Sequence, residues 1–300
     1  MGPVTFLRAL RPHQWSKNVF VLAPWAFAAA ERESAMGPGA GGRLAVALGA
    51  FCLTSSAVYL LNDVCDVEKD KNHPEKRHRP IASGAFPVPA ALLTAVLLFL
   101  GSLAAVQVFG GGLPVVSVLV AYGALNVAYS LRLKRVVLLD AFCVATGFLL
   151  RLAAGGRASG AEVSHWAFLC TLFLALFLAL NKRRAEIVLL GSDGAEHRPT
   201  LGEYTVGFLD QMVAVLAACT VVAYTMYTVD EGTMAKFEGG HRLVWTVPFV
   251  LFGVGRYMVL VQSRGGGGNP TRIFLGGDFV FLLNTLAWLG VALYALYGGA

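Results

Sequence analysis

Asn62, Asp63, Asp66 and Asp70 stand at offsets 0, 1, 4 and 8, directly after a long apolar run, in the stretch LNDVCDVEKDKNHPEKRHRPIASG (61–84). Side chains three and four residues apart share a helical face, so a helix continued through this stretch would bring Asp63, Asp66 and Asp70 together. Three grouped carboxylates repel one another, and at a membrane boundary their charge is costly. A hard divalent cation removes both difficulties. Mg2+ prefers oxygen ligands and commonly combines one or two carboxylates with the phosphates of a substrate. The stretch then runs on to Lys76, Arg77 and Arg79, cations suited to the phosphate oxygens that a metal leaves free. The expected chemistry is Mg2+-assisted handling of a diphosphate, with Asn62, Asp63, Asp66 and Asp70 as the metal ligands. Glu68 falls off the shared face beside Lys69 and Lys71 and reads as a solvated partner, and His73 and His78 read as solvated loop residues. An ordinary charged loop end is the plainer alternative. The NDxxDxxxD spacing straight after an apolar helix argues against it.

The elements that must position these groups follow from the composition. The chain has 300 residues, of which 56% are hydrophobic and only 14% charged, against roughly 25% charged in soluble domains. Yet five acidic and five Lys/Arg residues crowd into Leu61–Gly84. Apolar runs near 17–31, 44–62, 87–109, 113–131, 136–154, 163–181, 207–228, 243–262 and 273–297 each approach the length a helix needs to cross a bilayer. The expectation is one all-α membrane domain over residues 1–300, a bundle of about nine transmembrane helices. The run after Lys17 resembles the apolar core of a signal peptide, but eight further runs come after it, so it is read as an uncleaved first helix.

Orientation follows from Lys and Arg, which cytoplasmic loops retain. The N-terminus and the connections after runs 2, 4, 6 and 8 hold Arg8, Arg11, Lys17, Lys69, Lys71, Lys76, Arg77, Arg79, Arg132, Lys134, Arg135, Lys182, Arg183, Arg184, Arg198, Arg264 and Arg272. The opposite side holds Arg32, Arg43, Arg151, Arg157, Lys236 and Arg242, and Arg256 lies within run 8. The N-terminus and the charged stretch are therefore expected to face the cytoplasm, in the inner or plasma membrane. The net charge of +6 is accounted for by this topology and by anionic headgroups, so no nucleic-acid partner is expected. Cys52, Cys65, Cys143, Cys170 and Cys219 are scattered without a CxxC pair and read as free thiols.

The outer connections are short or glycine-rich. Two cytoplasmic connections dominate, Asn62–Phe86 and Asn181–Val206, and are the expected active-site loops (62–86 and 181–206). Their spacing suggests a duplicated four-helix unit. The Gly265–Gly268 run reads as a flexible linker, with a phosphate cradle before Asn269 and Pro270 as the less favoured reading.

The stretch NDVCDVEKDKNHPEKRHRPIASG resembles the first aspartate-rich motif of the UbiA-type intramembrane prenyltransferase superfamily, and the count of nine helices matches it as well. The resemblance implies an all-helical bundle around a central cavity, capped on the cytoplasmic side, where Mg2+ and a diphosphate bind. Aromatic prenyltransferases of this type carry a second aspartate motif after the sixth span. Here that place reads ALNKRRAEIVLL, where the one carboxylate, Glu186, follows Lys182, Arg183 and Arg184. Lys182 and Glu186 stand at i, i+4 and could simply pair, but a helix end with three cations suits phosphate better than a second metal.

A narrower similarity accompanies this departure. RPHQWSKN (11–18), YSLRLKR (129–135), NKRRAE (181–186), LGEYT (201–205), GRY (255–257) and GNPTRIFLGGD (268–278) together resemble the decaprenyl-phosphate phosphoribosyltransferase branch. That branch implies transfer of 5-phosphoribose from 5-phosphoribosyl 1-diphosphate to a polyprenyl phosphate, with release of diphosphate. The implied roles place Mg2+-diphosphate on Asn62, Asp63, Asp66 and Asp70, and donor phosphates on Lys76, Arg77 and Arg79. Tyr129 and Lys134 match the superfamily's YxxxxK pattern and would contact diphosphate or acceptor phosphate. Lys182, Arg183 and Glu186 would shape the donor site, Glu186 toward the ribose hydroxyls. Gln14 and Lys17 would meet the lipid phosphate, although an interfacial anchor explains Lys17 equally well. Tyr204 is a further candidate, with an interfacial aromatic as its plainer reading.

Asp140 and Arg256 would each cost about 2.5–3.5 kcal/mol at mid-bilayer. Asp140 is expected close enough to the cytoplasmic face to be solvated or paired with Lys134 or Arg135, and Arg256 is expected to face a cavity. Asp278 matches the branch motif, but Phe279 comes next where a basic residue is expected. Two other functions stay open: a UbiA-type transfer of a polyprenyl diphosphate to an aromatic or other acceptor, and a transporter or lipid carrier. Transporters place ionisable groups near the midplane in broken helices, whereas here the charge gathers at one face. Polyprenyl chain length, pathway and any homo-oligomer are left open by the sequence.

Overall fold

Arg11 ends the first helix, because the residue before a proline is disfavoured in the helical region and Arg11 adopts a left-handed conformation with φ 53°. In the computed structural model the apolar run near 17–31 is not one long helix either: after α1 (Pro3–Leu10) it holds the end of a 3-10 run (Pro12–Val21) and the short α2 (Ala23–Ala28), with Pro12 and Pro24 at positions where a missing N–H costs nothing.

The structure describes residues 2–31, 37–72, 76–190, 199–263 and 278–298. Arg32, His73, Arg198, Arg264, Arg272, the Gly265–Gly268 run, Asn269, Pro270 and the 268–277 part of the branch block lie outside the described residues. Among the described residues every regular element is helical. Next come α3 (Ala40–Cys65), α4 (Val67–Lys71), α5 (Val88–Phe109), α6 (Leu113–Leu131), α7 (Leu139–Ser159), α8 (His165–Leu190), α9 (Val206–Val229), α10 (Glu231–Lys236), α11 (Val247–Ser263) and α12 (Phe279–Tyr297). Among the described residues eight helices are long and apolar enough to cross a membrane, the seventh spanning Gly240–Gln262 and so including the 3-10 run before α11. The protein is a multi-pass membrane protein. Exposed leucines such as Leu93, Leu97 and Leu100 on α5 and Leu283, Leu286 and Leu293 on α12 are what a helix facing lipid requires.

The chain forms two compact units, Met1–Ala28 with Ala35–Val163, and Ala29–Ser34 with Ser164–Ala300. In the first, α3 is the hub, packed against α5, α6 and α7, with the 3-10 run against α3 and α7. Its core includes Val21, Leu44, Phe51, Val115, Leu119 and Tyr122, and Phe51 meets Tyr122 edge-on at 5.3 Å. A buried Thr54–Ser102 hydrogen bond of 2.8 Å joins α3 to α5. Gly155 on α7 lets the 3-10 run approach closely, since a Cβ there would lie 1.9 Å from the Val21 carbonyl oxygen. Ala9, Leu10, Leu60, Ile81 and Phe86 make a second apolar cluster, joining α1, the end of α3 and the loop before α5.

In the second unit α8 packs on α9, α9 on α11, and α11 on α12. Arg256 has a carboxylate partner. Its Nε and Nη2 donate to Asp278 at 3.1 and 2.8 Å, and Asp278 also caps α12 by accepting from the Phe281 N–H at 2.9 Å. The pair ties α11 to α12, which gives both residues a structural task.

Candidate active site

The carboxylates of the first motif sit where α3 stops. Asn62 and Asp63 lie in its last turn, whereas Asp66 is the residue beyond its end, with φ −103° and ψ 6°, and Asp70 lies in the short α4. The helix does not continue through the motif, so Asp63, Asp66 and Asp70 do not share one continuous helical face. The bend at Asp66 distributes them instead.

Asp63 and Asp70 are buried, at 3% and 4% exposure, and converge on one cation. Arg79 Nη1 lies 3.1 Å from Asp63 Oδ1 and 2.7 Å from Asp70 Oδ2. Arg11 reaches Asp63 from the other side, its Nη2 at 2.6 and 2.7 Å from the two carboxylate oxygens, while its guanidinium lies over the Tyr59 ring at 5.3 Å. Asp66 takes a different partner, Lys134, whose ammonium donates to both oxygens at 2.7 and 2.8 Å. Ser130 donates to Asn62 Oδ1 at 3.3 Å, which fixes the amide beside the carboxylates. These contacts join the end of α3, α4, the loop after it and the loop after α6 into one charged cluster.

Of the cations expected here, the structure brings Arg79 and Lys134 to the carboxylates. Arg77 is exposed and donates to His78 Nε2 at 3.4 Å, and Glu68 is an exposed partner of Lys71 at 2.7 Å. Lys76 is half-buried in the 3-10 turn Lys76–His78 and Tyr129 lies near the end of α6. Gln14 and Lys17 lie on the Pro12–Val21 run, where the Gln14 N–H donates to the Arg11 carbonyl at 2.9 Å. Asp140 is fully buried, not solvated. Arg11 was not among the residues that type and spacing single out. It stands in the RPHQWSKN block, but its pairing with Asp63 spans 52 residues.

The donor set fits a Mg2+ ion. All its atoms are oxygens, and Asp63 and Asp70 already point at a common position held by positive charge. Among the described residues no three His, Cys, Asp or Glu side chains converge, so the fit is to a site completed by phosphate oxygens, the usual arrangement for Mg2+.

In the second unit, the NKRRAE motif (181–186) lies in the last turns of α8. Asn181 and Arg183 are buried, at 0% and 4% exposure. Arg183 Nη1 donates to Glu186 Oε2, and Lys182 stands 4.0 Å from Glu186 Oε1. Arg184 pairs with Asp210 on α9, a carboxylate not singled out in the sequence although it lies in the segment after LGEYT. Tyr204 is buried and stacked against Phe208 with centroids 6.2 Å apart. Thr205 caps α9 by accepting from the Phe208 N–H at 3.2 Å. The α8 end thus brings three cations against two carboxylates, Glu186 and Asp210, a composition for phosphate and hydroxyl groups rather than for a second metal ion.

Residues 19–275 match the UbiA prenyltransferase family. The chain is 37% identical to a decaprenyl-phosphate phosphoribosyltransferase of Corynebacterium glutamicum, covering 97% of this chain and 86% of that protein. It is 35% identical to the decaprenyl-phosphate phosphoribosyltransferase of Mycolicibacterium smegmatis, over 97% and 92%. A UbiA homolog from Archaeoglobus fulgidus bound to GPP and Mg2+ superposes with a TM-score of 0.71 at 17% identity, covering 97% of this chain and 99% of that one.

Proposed function

The chain belongs to the UbiA prenyltransferase family, and from that premise we propose that it transfers a pentose phosphate rather than a prenyl group. The donor is 5-phosphoribosyl 1-diphosphate, the acceptor a polyprenyl phosphate of the decaprenyl type, and the products polyprenyl-phosphoryl-5-phosphoribose and diphosphate. A phosphate oxygen of the acceptor forms the new bond to ribose C1, and the C1–O bond to diphosphate breaks with its electron pair leaving on diphosphate. The observation that carries this reading is the α8 end, where Lys182, Arg183 and Arg184 stand in place of a second aspartate motif, Lys182 and Arg183 meeting Glu186 and Arg184 meeting Asp210. The names of relatives matching almost the whole chain support it.

Asp63 and Asp70, with Asn62 and Asp66 beside them, would hold Mg2+. When bound, the ion supplies positive charge to the leaving diphosphate. The chain's own groups do the rest. Arg79 and Lys134, poised against the carboxylates, are placed to turn to donor phosphates as these arrive, and fixed cations in a sparsely hydrated site act more strongly than in water. Arg11 holds the Asp63 carboxylate in place. Lys76 and Arg77 are assigned to donor phosphates, Tyr129 with Lys134 to diphosphate or acceptor phosphate, Lys182 and Arg183 to the donor, Glu186 to ribose hydroxyls, and Gln14 and Lys17 to the lipid phosphate, with Tyr204 a further candidate. The Lys and Arg distribution favours an active site facing the cytoplasm, in the plasma or inner membrane, where a soluble donor meets a lipid acceptor.

The test supplies purified protein with Mg2+, a polyprenyl phosphate and ribose-labelled donor. Label entering the lipid phase supports the reading. No label, together with activity on a polyprenyl diphosphate and an aromatic acceptor, would return the protein to prenyl transfer.

A further inference from the structure

Arg151 sorts with the outer connections by sequence, but it lies about 18 Å along α7 from Leu139 at 1.5 Å per residue and is 5% exposed. Among the described residues no carboxylate reaches it. Its Nε donates to Asn18 Oδ1 at 2.8 Å, Nη1 to the Gly147 carbonyl at 2.9 Å and Nη2 to the Tyr122 hydroxyl at 2.8 Å. The guanidinium lies over three rings, Tyr122 at 4.8 Å, Phe148 at 5.4 Å and Phe51 at 5.8 Å. Neutral acceptors and ring faces make a cation tolerable in the interior, but they do not cancel its charge.

The neutral acceptor Asn18 carries the argument to the site. It is fully buried, and its Nδ2 donates to Ser55 Oγ at 3.2 Å and Cys52 Sγ at 3.4 Å on α3. Trp15 Nε1 donates to Ser56 Oγ at 3.0 Å, so the Pro12–Val21 run is fastened to α3 at two points and to α7 through Arg151. That run carries Gln14 and Lys17 and begins next to Arg11. Burial first, and after it the charges of Arg151 and Arg11, weigh against the Lys17 ammonium, and among the described residues Lys17 has no carboxylate partner. Lys17 therefore stands in positive surroundings that an anion would relieve.

We propose that Arg151 is a positioning residue for the anionic headgroup of the lipid acceptor. Through Asn18 it fixes the Pro12–Val21 run, and its uncancelled charge keeps the surroundings of Lys17 attractive to a phosphate monoester. The inference rests on the reading of a polyprenyl phosphate as acceptor. The donor also carries phosphates, so the test separates the two sources.

Arg151→Met, Arg151→Lys and Asn18→Ala are compared with the unaltered protein in detergent. The measurements are KM for each substrate, thermal unfolding, and binding of polyprenyl phosphate and of uncharged polyprenol without donor. Loss of a hydrogen-bonded charge predicts that R151M weakens polyprenyl phosphate binding and raises acceptor KM about tenfold, with donor KM and polyprenol binding unchanged. R151K should recover part of the effect, since it keeps the charge without the fork. N18A should shift the same quantities, and combining it with R151M should add little. An unchanged acceptor KM in folded R151M, equal shifts for both substrates, or a lowered unfolding temperature alone would each overturn the inference. If R151M does not fold, R151K and N18A carry the same comparison. If the unaltered protein binds polyprenyl phosphate no better than polyprenol, the acceptor reading falls and takes this inference with it. If it does bind and the variants bind equally well, only this inference falls.

Discussion

Arg11 closes on Asp63 from 52 residues away, with its Nη2 at 2.6 and 2.7 Å from both carboxylate oxygens. The contact fastens the N-terminal segment to the end of α3 and leaves the buried carboxylate flanked by two guanidiniums, Arg11 and Arg79. Removing one partner of a buried pair costs more than the pair contributes, because the other charge stays behind. Arg11→Gln should therefore lower stability by about 1–3 kcal/mol and reduce turnover. Thermal unfolding in detergent reads the first effect, and an unchanged midpoint would show the contact to be dispensable.

Asp66 is the carboxylate most free to change partner, since its side chain is 23% exposed and its contact is a single lysine. Asp66→Ala should lose about a thousandfold or more in turnover, the scale seen when a group that stabilises developing charge is removed, while the protein still inserts and unfolds near its normal temperature. Lys134→Met should be milder. A chelator should abolish activity and added Mg2+ restore it. Retained activity in Asp66→Ala would exclude it as an essential ligand.

Arg79 bridges Asp63 and Asp70 with one nitrogen. Lysine keeps the charge but not the planar fork, so Arg79→Lys should raise donor KM by about tenfold and leave acceptor KM in place. Kinetics with each substrate varied in turn checks the separation, and an equal rise in both would contradict it.

Gly155 and the Arg256–Asp278 pair test the scaffold apart from the chemistry. A Cβ at position 155 meets the Val21 carbonyl oxygen at 1.9 Å, and overpacking of this kind costs about 1–3 kcal/mol, so Gly155→Ala should unfold earlier. Asp278→Asn removes the charge partner of Arg256 while leaving an acceptor for the cap, and should destabilise the protein without altering either KM. A changed KM would give that pair a role in catalysis.

The long spans were legible because a bilayer-crossing helix needs an unbroken apolar run, and 44–62 or 87–109 contain little else. The N-terminal part was not, since Pro12, Pro24 and the left-handed Arg11 divide residues 3–28 into three short segments, and only the last two reach into the run 17–31. The carboxylates and cations of 62–79 could be named from type and spacing. Their pairing could not, because it depends on where α3 ends, and Asp66 at that end faces Lys134 rather than its neighbours. Arg151 reads by sequence as an outer-side charge. Its place inside the run 136–154 was the available sign that it is buried, but only the fold brings Asn18 and three aromatic rings around it.

The central claim is that the bond broken joins ribose C1 to diphosphate and the ribose goes to the lipid. The direct measurement uses a donor labelled on the ribose in one reaction and on the β-phosphate in another, each with polyprenyl phosphate and Mg2+. The account predicts ribose label in the lipid phase and β-phosphate label in the aqueous phase as diphosphate, both absent in Asp66→Ala. Failure of the ribose label to enter the lipid, or entry of the β-phosphate label alongside it, would contradict it.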